Sequence, residues 1–165
     1  MLLLEETYHT KILLGAAEHF GLEVDGPFNP PAAMKVLTQA VSRLPMDLVR
    51  PLSLASELFG LATFTRLLHA TRVALRDTPE LRDAMEERLL MVLTDEIGHV
   101  SFQRLQVGEA GFKSARALLP FLTYGFRDTY PEVDRLLGNR LGVEEVVSLT
   151  VEKLPAQARA RAFLC

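Results

Sequence analysis

Two glutamates in this chain are each followed three positions later by a histidine. Glu6 precedes His9 near the start of the chain, and Glu96 precedes His99 much further along it. Residues three apart on an α-helix project from the same face, about one turn apart. Each pair can therefore offer a carboxylate and an imidazole to one metal ion. Two such helices that face each other, with carboxylates from other helices, form the two-metal site of a helix bundle.

The repetition of this motif makes a chance origin improbable. In a shuffled chain of the same composition, Glu-x-x-His occurs about a third of a time, and two copies that each follow an acidic residue occur on the order of once in a thousand chains. Two of the 4 histidines of the chain lie in these motifs. One copy alone would indicate an exposed ion pair on a helix. The two copies together favour a metal site.

The residues around the second motif are apolar. Within residues 89–102, Glu96 and His99 share one helical stripe with Val92, and Gln103 extends that stripe by a turn. A glutamate and a histidine in an apolar stripe must be paired or must bind a cation, because an isolated buried charge is too costly. The first motif is also flanked by apolar residues, so the same constraint applies to it.

Glu57 is a candidate third ligand. It is the only acidic residue between Asp47 and Asp77, and it lies in an apolar helix predicted over residues 52–76. The alternative is that Glu57 turns outward or meets an arginine. His69 lies about 120° round the same helix from Glu57, and we interpret His69 as structural.

Carboxylate and imidazole ligands without a thiolate suit iron or manganese rather than a structural zinc site. A carboxylate that bridges two ions explains why each motif contains both a glutamate and a histidine. We assign Glu6 and Glu96 as bridging carboxylates and His9 and His99 as terminal nitrogen ligands. Glu57 is then a terminal carboxylate on the ion that His99 binds.

An acidic residue stands directly before each motif, and it can orient a histidine. A histidine bound to a metal usually donates its other N–H to a carboxylate. On facing helices, Asp95 would orient His9 across the bundle and Glu5 would orient His99. We treat this crosswise arrangement as a hypothesis.

Length and composition restrict the class of protein. A chain of 165 residues with 48% hydrophobic and 24% charged residues is expected to form one globular domain, residues 1–165. The net charge of -3 gives no basic patch, so we expect no nucleic-acid partner. No apolar run is long enough to cross a membrane. Cys165 is the only cysteine, which fits a reducing cytosol, and we expect a cytoplasmic protein.

The pattern of apolar residues predicts an all-α fold with no strand. Glycine and proline mark a linker at residues 21–31. Gly108 is expected to end the helix that carries the second motif, and Pro120 is expected to bend a later one. The predicted helices cover residues 2–20, 31–42, 52–76 and 79–107, the last with Thr78 as its cap and Pro79 at its first position. Accessory helices follow within 112–165, at 114–124, 131–137 and 143–153.

The two motifs and the glutamate between them resemble the ferritin-like di-iron carboxylate superfamily over about residues 2–107. Within it, their order and spacing are most similar to the p-aminobenzoate N-oxygenase group. The resemblance implies a ferritin-like bundle that binds two iron ions, with manganese or a mixed Mn/Fe pair as the alternative. It also implies activation of O2, oxidation of a small organic substrate and an electron donor. The iron ligands would be Glu6, His9, Glu57, Glu96 and His99.

The chain departs from the family pattern at two places. The superfamily has a further glutamate on a helix before the first motif, so we expect that the first helix is missing or that another group completes the site. The N-oxygenase group has an extra histidine one turn before the last motif, where this chain has Val92. An exposed apolar flank left by the missing helix makes a homodimer plausible.

Three functions remain open on the sequence alone. The first is an O2-activating di-iron oxygenase or oxidase. The second is a ferritin-like bundle that binds metal without oxygenase turnover, as a truncated or inactive relative would. The third is a structural helical protein without metal.

Overall fold

The computed structural model describes residues 2–19, 32–129 and 143–162, and helices are the regular secondary structure of these residues. None of them forms a strand, so the prediction of an all-α fold is confirmed. A short 3-10 turn at Val151–Lys153 precedes the last helix. The α-helices are α1 Leu2–His19, α2 Ala32–Val41, α3 Met46–Ala74, α4 Pro79–Thr129, α5 Val143–Val147 and α6 Ala156–Ala162.

Helices α3 and α4 form an antiparallel pair at the centre of the bundle. The connection between them is short and hydrogen-bonded, since the Leu75 N–H donates to the Thr71 carbonyl and the Thr78 N–H donates to the Leu75 carbonyl. Pro79 opens α4, as predicted, because the first helical position has no partner for an N–H. The pair can be long because both helices bury an apolar face against each other.

Two hydrophobic clusters hold α3, α4 and the C-terminal helices together. The first lies towards the connection between α3 and α4 and also contains residues from the C-terminal segment. The second surrounds the opposite part of the pair and includes Val146 of α5. The first consists of Leu61, Leu68, Leu89, Leu90, Leu93, Ile97, Leu154 and Ala158, and the second of Leu54, Ala55, Ala62, Ala115, Leu119 and Val146. The accessory helices therefore contribute to the core.

The sequence places the end of the motif-bearing helix at Gly108, and the regular helical geometry is interrupted at that residue. The chain becomes helical again after this kink and continues to Thr129, so the accessory helix predicted at 114–124 lies in the second part of α4. Its direction changes at Gly108, the one residue within α4 with non-helical dihedrals (φ 62°, ψ -170°). Pro120 stays within the helix, because its ring removes one backbone donor without forcing such a break.

The predicted start of α3 is wrong. The helix begins at Met46 and includes Pro51, which we expected to precede it. Proline lacks the N–H that would bond to the carbonyl of Asp47. Asp47 is exposed, so water can satisfy that carbonyl, and the helix tolerates the proline.

The remaining boundaries agree with the sequence to different degrees. Helices α1 and α2 lie within a residue of their predicted ends. The predicted helix at 143–153 divides into α5 and the 3-10 turn. The linker at 21–31 and the predicted helix at 131–137 lie outside the described residues. No described helix has both the length and the apolar character that a membrane span requires.

Replacing Gly108 with alanine should lower the free energy of unfolding by about 1–2 kcal/mol, because an L-residue is strained at this positive φ. Gly98 provides the matched control: it lies in regular helix and is exposed, and an added Cβ there meets nothing within 4 Å. Gly98→Ala should raise stability by roughly 0.5–1 kcal/mol. Urea denaturation followed by circular dichroism measures both changes. Equal effects of the two substitutions would contradict the kink.

Candidate metal centre

Side chains from three helices meet inside the bundle. His9 comes from α1, Glu57 from α3, and Glu96 and His99 from α4. His9, Glu57 and Glu96 are only 3%, 7% and 5% exposed, and the His99 side chain is 15% exposed. Along α4 the site lies between the two hydrophobic clusters. Because Glu96 and His99 are three residues apart on the helix, their side chains lie on the same side of it, as the sequence predicted.

Glu57, Glu96 and His99 form a group that could hold a metal ion. Each offers one ligand atom, and these atoms all lie within 4.8 Å of one another. His99 Nδ1 and Glu57 Oε2 lie 3.5 Å apart. Ligand atoms about 2 Å from a shared ion lie roughly 3–4 Å apart. A small contraction of this group would therefore complete three bonds to one ion.

His9 lies on the other side of Glu96. Its Nδ1 is 3.4 Å from Glu96 Oε1, and its Nε2 is 3.4 Å from Asp95 Oδ2. The rings of His9 and His99 are 5.9 Å apart between centroids. Glu96 therefore has His9 on one side and the group with Glu57 and His99 on the other, which is the arrangement that a bridging carboxylate needs.

Asp95 contacts His9 across the bundle, at the place that the crosswise hypothesis gives it. The Asp95 side chain is 43% exposed, whereas the His9 side chain is 4% exposed. If the Nε2 nitrogen carries the proton and donates it to Asp95, the lone pair of Nδ1 faces Glu96. Asp95 thus favours the tautomer in which His9 can bind a metal on the inner side of the site.

The ionisation of the two buried glutamates is coupled. The pKa of Glu96 is raised to about 7, chiefly by burial and also by the contact with Glu57, while the hydrogen bond with His9 acts in the opposite direction. Burial also acts to raise the pKa of Glu57, but hydrogen bonds with His99, Glu96 and Gln103, together with the electrostatic attraction of His99, outweigh it and lower that pKa. Below about pH 7 the metal-free site therefore favours a proton on Glu96 beside a negatively charged Glu57.

No lysine or arginine within the described segments forms an ion pair with Glu57 or Glu96, whose recorded partners are His9, His99 and Gln103. Glu57 is buried and pairs with no arginine of the described residues, so the alternative that it turns outward or meets an arginine is wrong. Two carboxylates in contact in the interior cannot both be charged without compensation. Either a proton or a cation must balance them.

Not every residue chosen from the sequence can be placed. Glu5 and Glu6 belong to α1, but their side chains lie outside the described part, so their roles stay predictions. His69 occupies an exposed position on α3, away from the site. The described part of the candidate centre therefore consists of His9, Glu57, Glu96 and His99, with Asp95 beside His9.

Gln103 belongs to the site, although we assigned it no role from the sequence. Its Nε2 donates a hydrogen bond to Glu57 Oε1 at 3.0 Å. The signal was present in the sequence, because Gln103 is a polar residue one turn after His99 on the same apolar stripe. An amide has no metal-ligand signature of its own, and only the position of α3 gives it a partner.

A surface cleft of about 390 Å³ lies at the kink of α4. Its lining consists of Ser101, Arg104, Leu105, Gly108 and Glu109. None of these residues belongs to the group of Glu57, Glu96 and His99.

The structure defines a helical bundle with a buried glutamate–histidine group that could bind metal. In comparisons with known proteins, no family model matches the chain, and neither the curated proteins nor the solved structures include a significant match. Any assignment to a family therefore rests on the motifs and on the geometry of the site.

The stability of the metal-free protein should fall as the pH rises from about 4.5 to about 7. In this window folded Glu96 keeps a proton that the unfolded chain has lost, so deprotonation favours unfolding. The loss should reach about 3 kcal/mol, measured by urea denaturation in the presence of a chelator. Glu96→Gln cannot titrate and should remove this slope. Parallel pH profiles for the two proteins would show that Glu96 is not the group responsible.

Proposed function

We propose that this chain is a ferritin-like di-metal carboxylate protein that binds two iron ions and uses O2 to oxidise a small organic substrate. The observation that carries the proposal is the position of Glu96 between His9 and the pair formed by Glu57 and His99. The proposal also includes a ferritin-like arrangement, with the helix that the resemblance implies before α1, and a similarity to N-oxygenases.

The residues present fit a di-metal centre. Glu57, Glu96 and His99 would hold one ion, and His9 with Glu96 would hold the other, where Glu6 is the further ligand that the motif predicts. The donor set contains carboxylates and imidazoles without a thiolate, which suits iron and equally allows manganese or a mixed pair. The raised pKa of Glu96 and the lack of a lysine or arginine partner within the described residues indicate a place that a cation can take.

Each residue has a definite task in this proposal. Glu96 gives up its proton when metal binds, so that both of its oxygens become available. Asp95 accepts the Nε2 proton of His9 and holds the ring with Nδ1 inward. Fully buried Val92 and Leu93 keep water from the α4 side of the site. When bound, iron would supply one-electron redox chemistry towards O2, with electrons from an external donor.

A second function, metal binding without oxygenase turnover, has its own supporting observation. The group of Glu57, Glu96 and His99 is sufficient for one ion. The cleft at the α4 kink is lined by other residues and would not bring a substrate to this group. The number of ions bound by the chain separates the two functions. The oxygenase proposal also includes three partners: a small-molecule substrate, an electron donor and a second copy of the chain.

The first test is the metal content of the purified protein after reconstitution with Fe²⁺ under anaerobic conditions. We expect about two ions per chain, and none in a Glu96→Ala, His99→Ala double variant. His69→Ala is the matched control, because it removes an exposed histidine of α3, and it should keep both ions. Reduced protein should then consume O2.

The outcomes of this experiment distinguish the functions. A single ion that is lost in the double variant would favour metal binding by the Glu57 side alone. No bound ion in a protein with normal circular dichroism would show that the site is a buried hydrogen-bonded cluster and would remove the oxygenase. Two ions without O2 consumption would favour metal binding without turnover.

Asp95→Asn should lower metal affinity by roughly 10–100-fold, because the amide can no longer accept the His9 proton as a carboxylate does. Asp83→Asn removes an exposed carboxylate from the same helix and should leave the affinity unchanged. Competition with a chromophoric chelator measures both. An unchanged affinity in Asp95→Asn would exclude Asp95 from the metal centre.

A further inference from the structure

Gln103 is a buried side-chain amide, and within the described residues only its amino group forms a hydrogen bond. It is 9% exposed and lies one turn after His99 on α4. Its Nε2 donates to Glu57 Oε1, but its Oε1 is buried and has no hydrogen-bond partner in the part of the chain that the structure describes. A buried acceptor left without a partner costs about 1–3 kcal/mol, so a purely structural role would be better filled by an apolar side chain of similar shape.

The orientation of this amide follows from the chemistry of its neighbour. A carboxylate that binds a metal can only accept hydrogen bonds, and Glu57 Oε1 lies 3.0 Å from Gln103 Nε2. The amino group of Gln103 must therefore face Glu57. The carbonyl oxygen is turned away from Glu57 as a consequence, and it stays available to another donor.

The two oxygens of Glu57 have different partners. Oε1 accepts the hydrogen bond from Gln103, whereas Oε2 lies 3.5 Å from His99 Nδ1. Only Oε2 is thus directed towards the group of ligand atoms that could share an ion. A carboxylate with one oxygen held in this way binds a metal through the other oxygen alone.

We propose that Gln103 is the positioning residue of the metal centre: it keeps Glu57 a one-oxygen ligand, and its carbonyl oxygen accepts a hydrogen bond from an O–H or N–H donor that enters the site. This inference rests on the proposed function, because it requires a metal at Glu57. Its consequence is that one coordination position stays open beside Gln103. Water fits the donor, and so would a hydroxyl or amino group of a small substrate.

The test uses Co²⁺ in place of iron, because the visible absorption of Co²⁺ weakens as its coordination number increases. Gln103→Met keeps the length of the side chain and removes both the donor and the acceptor. Glu57 should then bind through both oxygens, so we expect a weaker visible band and a metal affinity reduced by roughly 10–100-fold. Gln106→Met is the matched control on the exposed side of α4, and it should match the wild-type protein in both measurements.

Gln103→Glu provides a second variant in case the first does not fold. It retains the length and polarity but replaces the donor with a carboxylate at neutral pH, so it should also change the Co²⁺ spectrum. Circular dichroism establishes that each variant is folded.

The outcomes separate this inference from the proposed function. A wild-type protein that binds Co²⁺, with spectra unchanged in both folded Gln103 variants, overturns the role of Gln103 and leaves the metal centre in place. A wild-type protein that binds no Co²⁺ and no Fe²⁺ overturns both. A changed spectrum in the Gln103 variants with an unchanged Gln106→Met spectrum supports the inference.

Discussion

The contact between two buried carboxylates, Glu57 and Glu96, is the constraint on which the rest of this structure depends. They share a hydrogen bond across α3 and α4, and among the described residues their basic partners are the histidines His9 and His99 rather than a lysine or an arginine. Removing such groups from water is unfavourable, so the apolar contacts of the helix pair must offset that cost. The two hydrophobic clusters on either side of the site provide these contacts.

The two sides of the site are built differently. Glu57, Glu96, His99 and Gln103 all come from α3 and α4, which the hydrophobic clusters fix in register. On the other side, His9 comes from α1, and its contacts include Asp95, Glu96 and the ring of His99. The position of His9 is therefore tied to ionisable groups of the site itself, whereas the Glu57 side also rests on the packing of α3 against α4.

The sequence predicted the composition of the site better than the limits of the helices. Spacing and apolar surroundings selected His9, Glu57, Glu96 and His99, because buried glutamate and histidine need partners wherever they occur. The predicted start of α3 after Pro51 was wrong, because the energetic cost of this proline depends on whether the Asp47 carbonyl reaches water. That exposure is a property of the fold. The role of Gln103 could not be found, since an amide acquires its partner only when α3 packs against α4.

The proton on Glu96 also explains how such a site can exist before it binds a metal. A zinc finger cannot fold without its ion, because nothing else neutralises its ligands or fills its interior. Here a proton balances one carboxylate, hydrogen bonds from His99 and Gln103 hold the other, and the clusters around Leu93 and Leu119 supply the packing. The bundle can therefore fold first and exchange a proton for a cation afterwards. In this order the fold sets the positions of the ligands, and the metal does not need to create them.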